Sequence, residues 1–173
     1  AQIMLALQSA GAHNVNLVSP APFAHVLKGA IAKARESGLT VPIVYNTNAY
    51  ERVETLRALA GLVDVYLPDL KYASESIAEI YSGARDYFTF AAPAIEEMFS
   101  QCGLLETDSE GIAVRGTIIR HLVLPGSVDE TRKVIDHIAD HYPKEIAFSL
   151  LGQYVPIGAD LPAPLGRRLT RGE

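Results

Sequence analysis

The sequence predicts an α/β protein built on parallel strands, and three observations carry that expectation. Five short runs rich in Val, Ile and Leu alternate with segments of helical spacing. The runs are nearly continuous in apolar residues, as strands of a parallel sheet covered by helices are. Polar groups collect at or near the end of each run, which is the edge where parallel α/β architectures bind ligands. On spacing alone, two architectures satisfy the pattern: an open doubly wound sheet and an arc of a β/α barrel. No repeat, linker or low-complexity segment divides residues 1–173, so a single domain is expected.

The elements follow in order. Ile3, Met4 and Leu7 already sit at helical spacing, with Gly11 as a stop. A first strand is expected over His13–Val18, then a helix over Pro22–Ser37 ending at Gly38. A second strand, Val41–Tyr45, leads through N-T-N into a helix over Tyr50–Leu59. The third strand, Val63–Leu67, ends in P-D-L-K. Helices follow near Ser74–Ser82 and Asp86–Gln101, the second expected to kink or divide at Pro93. E-T-D-S-E-G carries the chemistry of a turn or small hairpin. The fourth strand, Gly116–Leu124, is followed by P-G-S and a helix over Val128–His141, with Ser127 or Asp129 as its cap. A fifth strand covers Glu145–Leu151. Neither end carries a clean boundary signal: the opening helix lacks a capping residue, and Thr170 reads as the cap of a helix whose body does not follow. The chain therefore reads as an internal piece of a longer protein.

Composition narrows the function classes. The chain is 49% hydrophobic and 20% charged, as a globular domain is, with a formal net charge of -5 and no basic run to bind nucleic acid. No apolar stretch approaches the roughly 20 residues of a membrane span, and a cytoplasmic location is expected. Cys102 is the single cysteine, which leaves no disulfide and no clustered metal site within the chain.

The strand exits carry the candidate site. Asn14, Asn16 and Ser19 belong to the first, Asn46 and Asn48 with Tyr50 to the second, Asp69 and Lys71 to the third, Arg120 and His121 to the fourth, and Gln153 and Tyr154 to the fifth. Each has a plain structural reading taken singly: Asn46 capping a turn, Asp69 pairing with Lys71, Arg120 holding a helix end. All five exits being polar favours a ligand site. No G-x-S-x-G elbow and no glycine-rich phosphate loop is present. His137 and His141 stand at i and i+4, the spacing of a metal pair, but read as a solvated pair on an outer helix. Many amides, an acid and a guanidinium suit a polar, zwitterionic, ribose-bearing ligand better than they suit hydrolysis.

The runs G-A-H-N-V-N-L-V-S-P, V-Y-N-T-N-A-Y-E, V-D-V-Y-L-P-D-L-K-Y, R-H-L-V-L-P-G and Q-Y-V-P resemble the radical S-adenosylmethionine proteins, most of all the pyruvate formate-lyase activating enzyme-like branch. The resemblance spans about Gly11 to Pro156 in unbroken order. It implies a partial (β/α)6 TIM-like barrel of which barrel strands 2–6 are present, about five parallel strands. It also implies a [4Fe-4S] cluster held by a C-x-x-x-C-x-x-C loop, which binds S-adenosylmethionine and yields a 5'-deoxyadenosyl radical. This chain lacks those cysteines, so the cluster segment is expected upstream, no metal ligand is expected here, and the chain alone is expected to be inactive.

Position by position, the resemblance places Asn14 and Asn16 where most members carry the G-G-E that meets the cofactor's amino group. Asn46 and Asn48 resemble the strand-three asparagines near the cofactor. Asp69 and Lys71 resemble a D-x-K motif facing cofactor or substrate. Arg120 and His121 fall near the ribose or carboxylate, and Gln153 and Tyr154 near the adenine or substrate. The implied partners are a glycyl-radical enzyme or another protein or small-molecule substrate, and a flavodoxin or ferredoxin as electron donor. A free edge on the first strand implies self-association. Two other classes stay open: a non-catalytic small-molecule binding or interaction module on the same ring of residues, and a hydrolase or aldolase using Lys71 as a Schiff base.

Overall fold

A computed structural model describes residues 1–158 and 160–173. Among the described residues are six α-helices, a short 3-10 turn (Ala21–Phe23) and six strands: α1 (Gln2–Ser9), β1 (Val15–Val18), α2 (Ala24–Glu36), β2 (Ile43–Thr47), α3 (Val53–Arg57), β3 (Val65–Pro68), α4 (Glu75–Ser82), α5 (Tyr87–Cys102), β4 (Glu106–Thr107), β5 (Ala113–Leu122), α6 (Val128–His141) and β6 (Ala147–Leu151). β1, β2, β3, β5 and β6 pair side by side in parallel and in chain order. β4 is a short antiparallel strand on the start of β5, completing a hairpin through the E-T-D-S-E-G segment. The sheet is mixed and mostly parallel, and it is not closed on itself.

The register sorts every strand residue onto one of two faces, because side chains alternate and parallel partners share a side. Val15, Ile43, Tyr45, Tyr66, Thr117, Ile119 and His121 point to the helices. There Met4, Ile31 and Ala34 close over Val15 and Ile43. Leu56, Leu59, Ala94 and Met98 close over Tyr45 and Tyr66, and Ile95, Val134 and Ile138 over Ile119. The other face carries Asn16, Val44, Val65 and Gly116 at one level. Val18, Asn46 and Leu67 form the next level, with Asp69, Arg120 and Ser149 above them. The described core clusters draw on no strand residue of that second face.

The lower rim is pinned by half-buried polar side chains. Asp64 accepts from Ile43 N at 2.7 Å and from Arg35 at 2.5 Å, while Arg35 also donates to the carbonyls of Leu39 and Val41. Gly116 is required where β4 crosses β5: its φ is +125°, and a Cβ there would meet Leu104 O at 2.5 Å. Two helices are capped by carboxylates from elsewhere in the chain. Glu130 of α6 accepts from Ala73 N, Ser74 N and Ser74 Oγ at the start of α4. Glu75 of α4 accepts from Phe88 N, Thr89 N and Thr89 Oγ1 at the start of α5. Each carboxylate satisfies amides that a helix start leaves without intrahelical partners.

Several sequence expectations move. The ladders begin at Val15, Ile43, Val65 and Ala147, two residues later than the expected strand starts. β5 begins earlier, at Ala113, because β4 pairs with it. Pro93 lies inside α5 without dividing it; the helix runs on because Ala91, Ala94, Ile95 and Met98 are all buried. α3 is shorter than the expected Tyr50–Leu59 because Glu51 is drawn under the sheet edge, where it bonds Tyr45 and Thr47. At the far end Glu173 folds back to accept from Thr170 N and Oγ1, Gly126 N and Arg167. No described helix is long and apolar enough to cross a membrane.

Candidate functional site

Backbone bonds between adjacent strands bring the exits of β2, β3 and β5 together. Asp69 N donates to Thr47 O at 2.9 Å and Leu70 N to Arg120 O at 2.9 Å. Side chains of that level therefore meet on the open face. Arg120 Nη2 donates to Asn46 Oδ1 at 2.6 Å and lies 2.7 Å from Asp69 Oδ1. Lys71 Nζ stands 3.4 Å from the other carboxylate oxygen, Asp69 Oδ2. Asp69 and Arg120 are about one quarter exposed, at 25% and 26%. Two cations facing one carboxylate leave the cluster with a net positive charge. Arg120 Nε is buried without a partner among the described residues; a buried donor left unpaired is costly, and a ligand acceptor would relieve it.

The loops behind this cluster are rigidly organised. Tyr87 Oη receives Lys71 N at 2.9 Å and faces the carbonyls of Asp69 at 2.6 Å and Asn48 at 2.9 Å, so its single proton serves one of the two. Burial holds that phenol well above its ordinary range. Glu51 receives Tyr45 Oη at 2.7 Å and the Thr47 hydroxyl. Burial raises its pKa against the pull of those two bonds. Ala49 N donates to Thr47 Oγ1, and Asn48 Oδ1 accepts from Tyr50 N at 3.0 Å. Asn48 thus makes the turn expected of Asn46. Neither Tyr87 nor Glu51 carries a sequence signal; both were missed because their partners come from other elements.

Four of the ten expected residues form the cluster, and Asn48 borders it; the others are placed differently. Asn14 precedes β1 and Asn16 is its second residue, so neither lies at a strand exit. Asn16 does share the open face, one level below Asn46. His121 points the other way. It is 2% exposed beneath α6, its Nδ1 donating to Leu70 O at 2.7 Å and its Nε2 accepting from Thr131 Oγ1 at 2.9 Å. Burial lowers its pKa and keeps it neutral. Alternation along β5 forces this, since Arg120 and its neighbour must face opposite sides. Tyr154 donates to Leu165 O at 2.8 Å and is committed to the C-terminal segment, while Gln153 is exposed. Neither touches the cluster.

Lys71 is 44% exposed and ion-paired, not desolvated as a Schiff-base lysine must be. Cys102 is buried at the end of α5, its thiol 3.5 Å from Val63 O and pushed up to about 11 by burial. His137 and His141 stack with ring centroids 4.1 Å apart, and His141 Nδ1 donates to His137 O. Among the described residues no group of three or more His, Cys, Asp or Glu is placed to hold a metal ion.

No protein-family model matches the chain. It is 32% identical over 162 residues to the uncharacterized protein MJ0674 of Methanocaldococcus jannaschii, a match covering 92% of this chain and 43% of that protein. The chain therefore spans less than half the length of this relative.

Proposed function

We propose that this chain is the cofactor- and substrate-facing part of a radical S-adenosylmethionine protein of the activating-enzyme type, folded as barrel strands 2–6 of a partial (β/α)6 barrel. One observation carries the reading: Asn46, Asp69, Lys71 and Arg120, each named by the sequence resemblance, converge at the exits of β2, β3 and β5. Strands laid down in chain order, with helices on one side, support an arc of a barrel over a doubly wound sheet, whose order reverses at a switch point.

The donor set suits the polar groups of S-adenosylmethionine. Lys71 and Arg120, both partly exposed, offer cationic N–H donors to a carboxylate. Asp69 accepts from an ammonium or a ribose hydroxyl, and Asn46 orients Arg120. The described residues do not fit a [4Fe-4S] cluster, since Cys102 is the chain's single cysteine and lies buried on the helix side. In this class the cluster supplies the electron that cleaves the cofactor. The residues of this chain bind, orient and neutralise charge.

Calorimetry tests the reading directly. S-adenosylmethionine is expected to bind a longer form carrying the cluster, and Arg120→Ala to weaken it at least tenfold. Failure to bind with the cluster present would remove it. A glycyl-radical enzyme or a small molecule is the proposed substrate, and a flavodoxin or ferredoxin the proposed donor.

A second reading, a non-catalytic binding module, is favoured by the bonds that tie Asn46, Arg120 and Asp69 to one another. Release of 5'-deoxyadenosine by the reduced, cluster-bearing protein would exclude it. β1 ends the sheet with one free edge and leaves Val18 68% exposed. Self-association through that edge is expected, and Val18→Lys should lower the sedimentation coefficient to that of a monomer.

A further inference from the structure

We propose that a cleft beside Lys71 binds a small aromatic carboxylate. The cleft, about 290 Å³, opens between the exits of β2 and β3 and the turn joining α4 to α5. Its volume is just below the roughly 300–1,000 Å³ of small-molecule sites, which fits one ring with an acidic substituent.

Its walls are aromatic and already ordered. Tyr87 packs against Tyr72 at 5.5 Å and Tyr50 at 5.9 Å between centroids, and Tyr50 also lies edge-on to Phe90 at 5.7 Å. Such packing holds the rings before a ligand arrives, so little freedom is lost on binding. Tyr50 is further held by the bond from its hydroxyl to Asp86. Between Asn48 and Tyr50, the fully buried Ala49 has a φ of 61°. A residue with a Cβ adopts that conformation only where its surroundings impose it, and such strain gathers at ligand sites.

The polar groups are donors aimed at an anion. Asn48 spends its oxygen on Tyr50 N, which leaves its amide N–H groups for the cleft. Lys71 holds Asp69 loosely, at 3.4 Å, through the oxygen that Arg120 does not take. Lys71 can therefore turn to a ligand carboxylate while Asp69 stays paired with Arg120. Tyr72 and Ser82 share a hydroxyl–hydroxyl bond at 2.8 Å on the opposite wall. Among the described residues no Asp or Glu lines the cleft itself; the two carboxylates at its margin are engaged, Asp86 by the Tyr50 hydroxyl and Asp69 by Arg120 and Lys71. A ring lies against the tyrosines and its carboxylate meets Lys71 and Asn48.

The inference rests on the cleft alone and not on the radical reading. The test is a heteronuclear NMR titration of the ¹⁵N-labelled protein with benzoate, and separately with neutral benzamide. Benzoate is expected to shift the amides of Asn48, Tyr50, Tyr72 and Gly83, and to bind at least tenfold more tightly than benzamide. Lys71→Gln should abolish that preference while leaving benzamide unchanged. Tyr50→Ala, at a partly exposed ring, should weaken both. Equal binding of the two probes, shifts confined to Asn46 and Arg120, or no effect of either substitution would overturn the proposal. Benzoate binding, with no S-adenosylmethionine binding by the longer cluster-bearing form, would leave it standing and remove the radical reading; the reverse would remove only this inference.

Discussion

Arg120 and His121 are neighbours on β5, yet they serve opposite sides of one sheet. His121 sits beneath α6 with both ring nitrogens satisfied and its charge suppressed. Arg120 sits at the open rim with its charge kept, two partners engaged and Nε unpaired. The helix side is closed by apolar packing, so a polar group there must be completed inside the protein. The open side is only half-closed, so its polar groups remain partly uncommitted and can meet a ligand. A polar residue at a strand exit is therefore a site residue on one parity of the strand and a structural one on the other.

Substitutions on the two faces should separate these roles. Ile119→Ala, at a position with no exposure, should cost the most, about 3–4 kcal/mol in urea unfolding, with the strand-exit geometry unchanged. His121→Ala should cost about 2 kcal/mol, since it strands Leu70 O and Thr131 Oγ1 in the interior. A wild-type level of stability in His121→Ala would break the contrast.

The next effect is pH dependence. The folded state holds the His121 pKa below its ordinary 6.5 through burial, so the unfolded chain binds the proton more readily. That stability is fully present above about 6.5 and is lost as pH falls from there toward the depressed value. His137 shifts the same way, so the useful quantity is the difference between wild type and His121→Ala. The variant should lose less stability between pH 7.5 and 5.5. Glu130 follows at lower pH. Burial opposes its charge, yet the Ser74 hydroxyl and the Ser74 and Ala73 amides lower its pKa below 4.5, so its cap on α4 is lost as pH falls through the folded value.

Open-face changes should be mild for folding. Arg120→Ala should cost about 1 kcal/mol or less while removing most ligand affinity. Lys71→Gln, at an exposed ion pair, should cost under about 0.5 kcal/mol. A large folding penalty from either would mean that the rim is structural.

Much of the fold could be read directly. The run I-V-Y is apolar and β-branched or aromatic, and its place between helical segments marks β2. The pair Asp69 and Lys71, two residues apart just past an apolar run, marked a rim that the structure shows in contact with Arg120. Less legible was depth along the strand. Asn14 and Asn16 lie in an apolar-polar run that reads as one strand, but only its pairing with Ile43 and Val44 shows that β1 begins at Val15. Tyr87, which holds the loops behind the site, gave no signal, because hydrogen bonds over 16 to 39 residues leave no periodic trace; Glu51 gave none because its bonds to Tyr45 and Thr47 form only once the chain turns under the end of β2.

The alternation of strands and helices, and the polar character of the strand exits, are thus legible in the chain without its fold. Local propensity and hydrophobic period act over a few residues, and both are written in the order of the chain. Packing in three dimensions was needed to settle which exits converge, which side chain of each pair faces the opening, and which carboxylates cap distant helices. Those outcomes depend on register between strands far apart in sequence, where a shift of one residue turns every side chain to the other face. Arg120 meets Asn46 and Asp69 because β5 lies beside β3 and β3 beside β2, an adjacency set by the packing of α5 and α6 against the covered face.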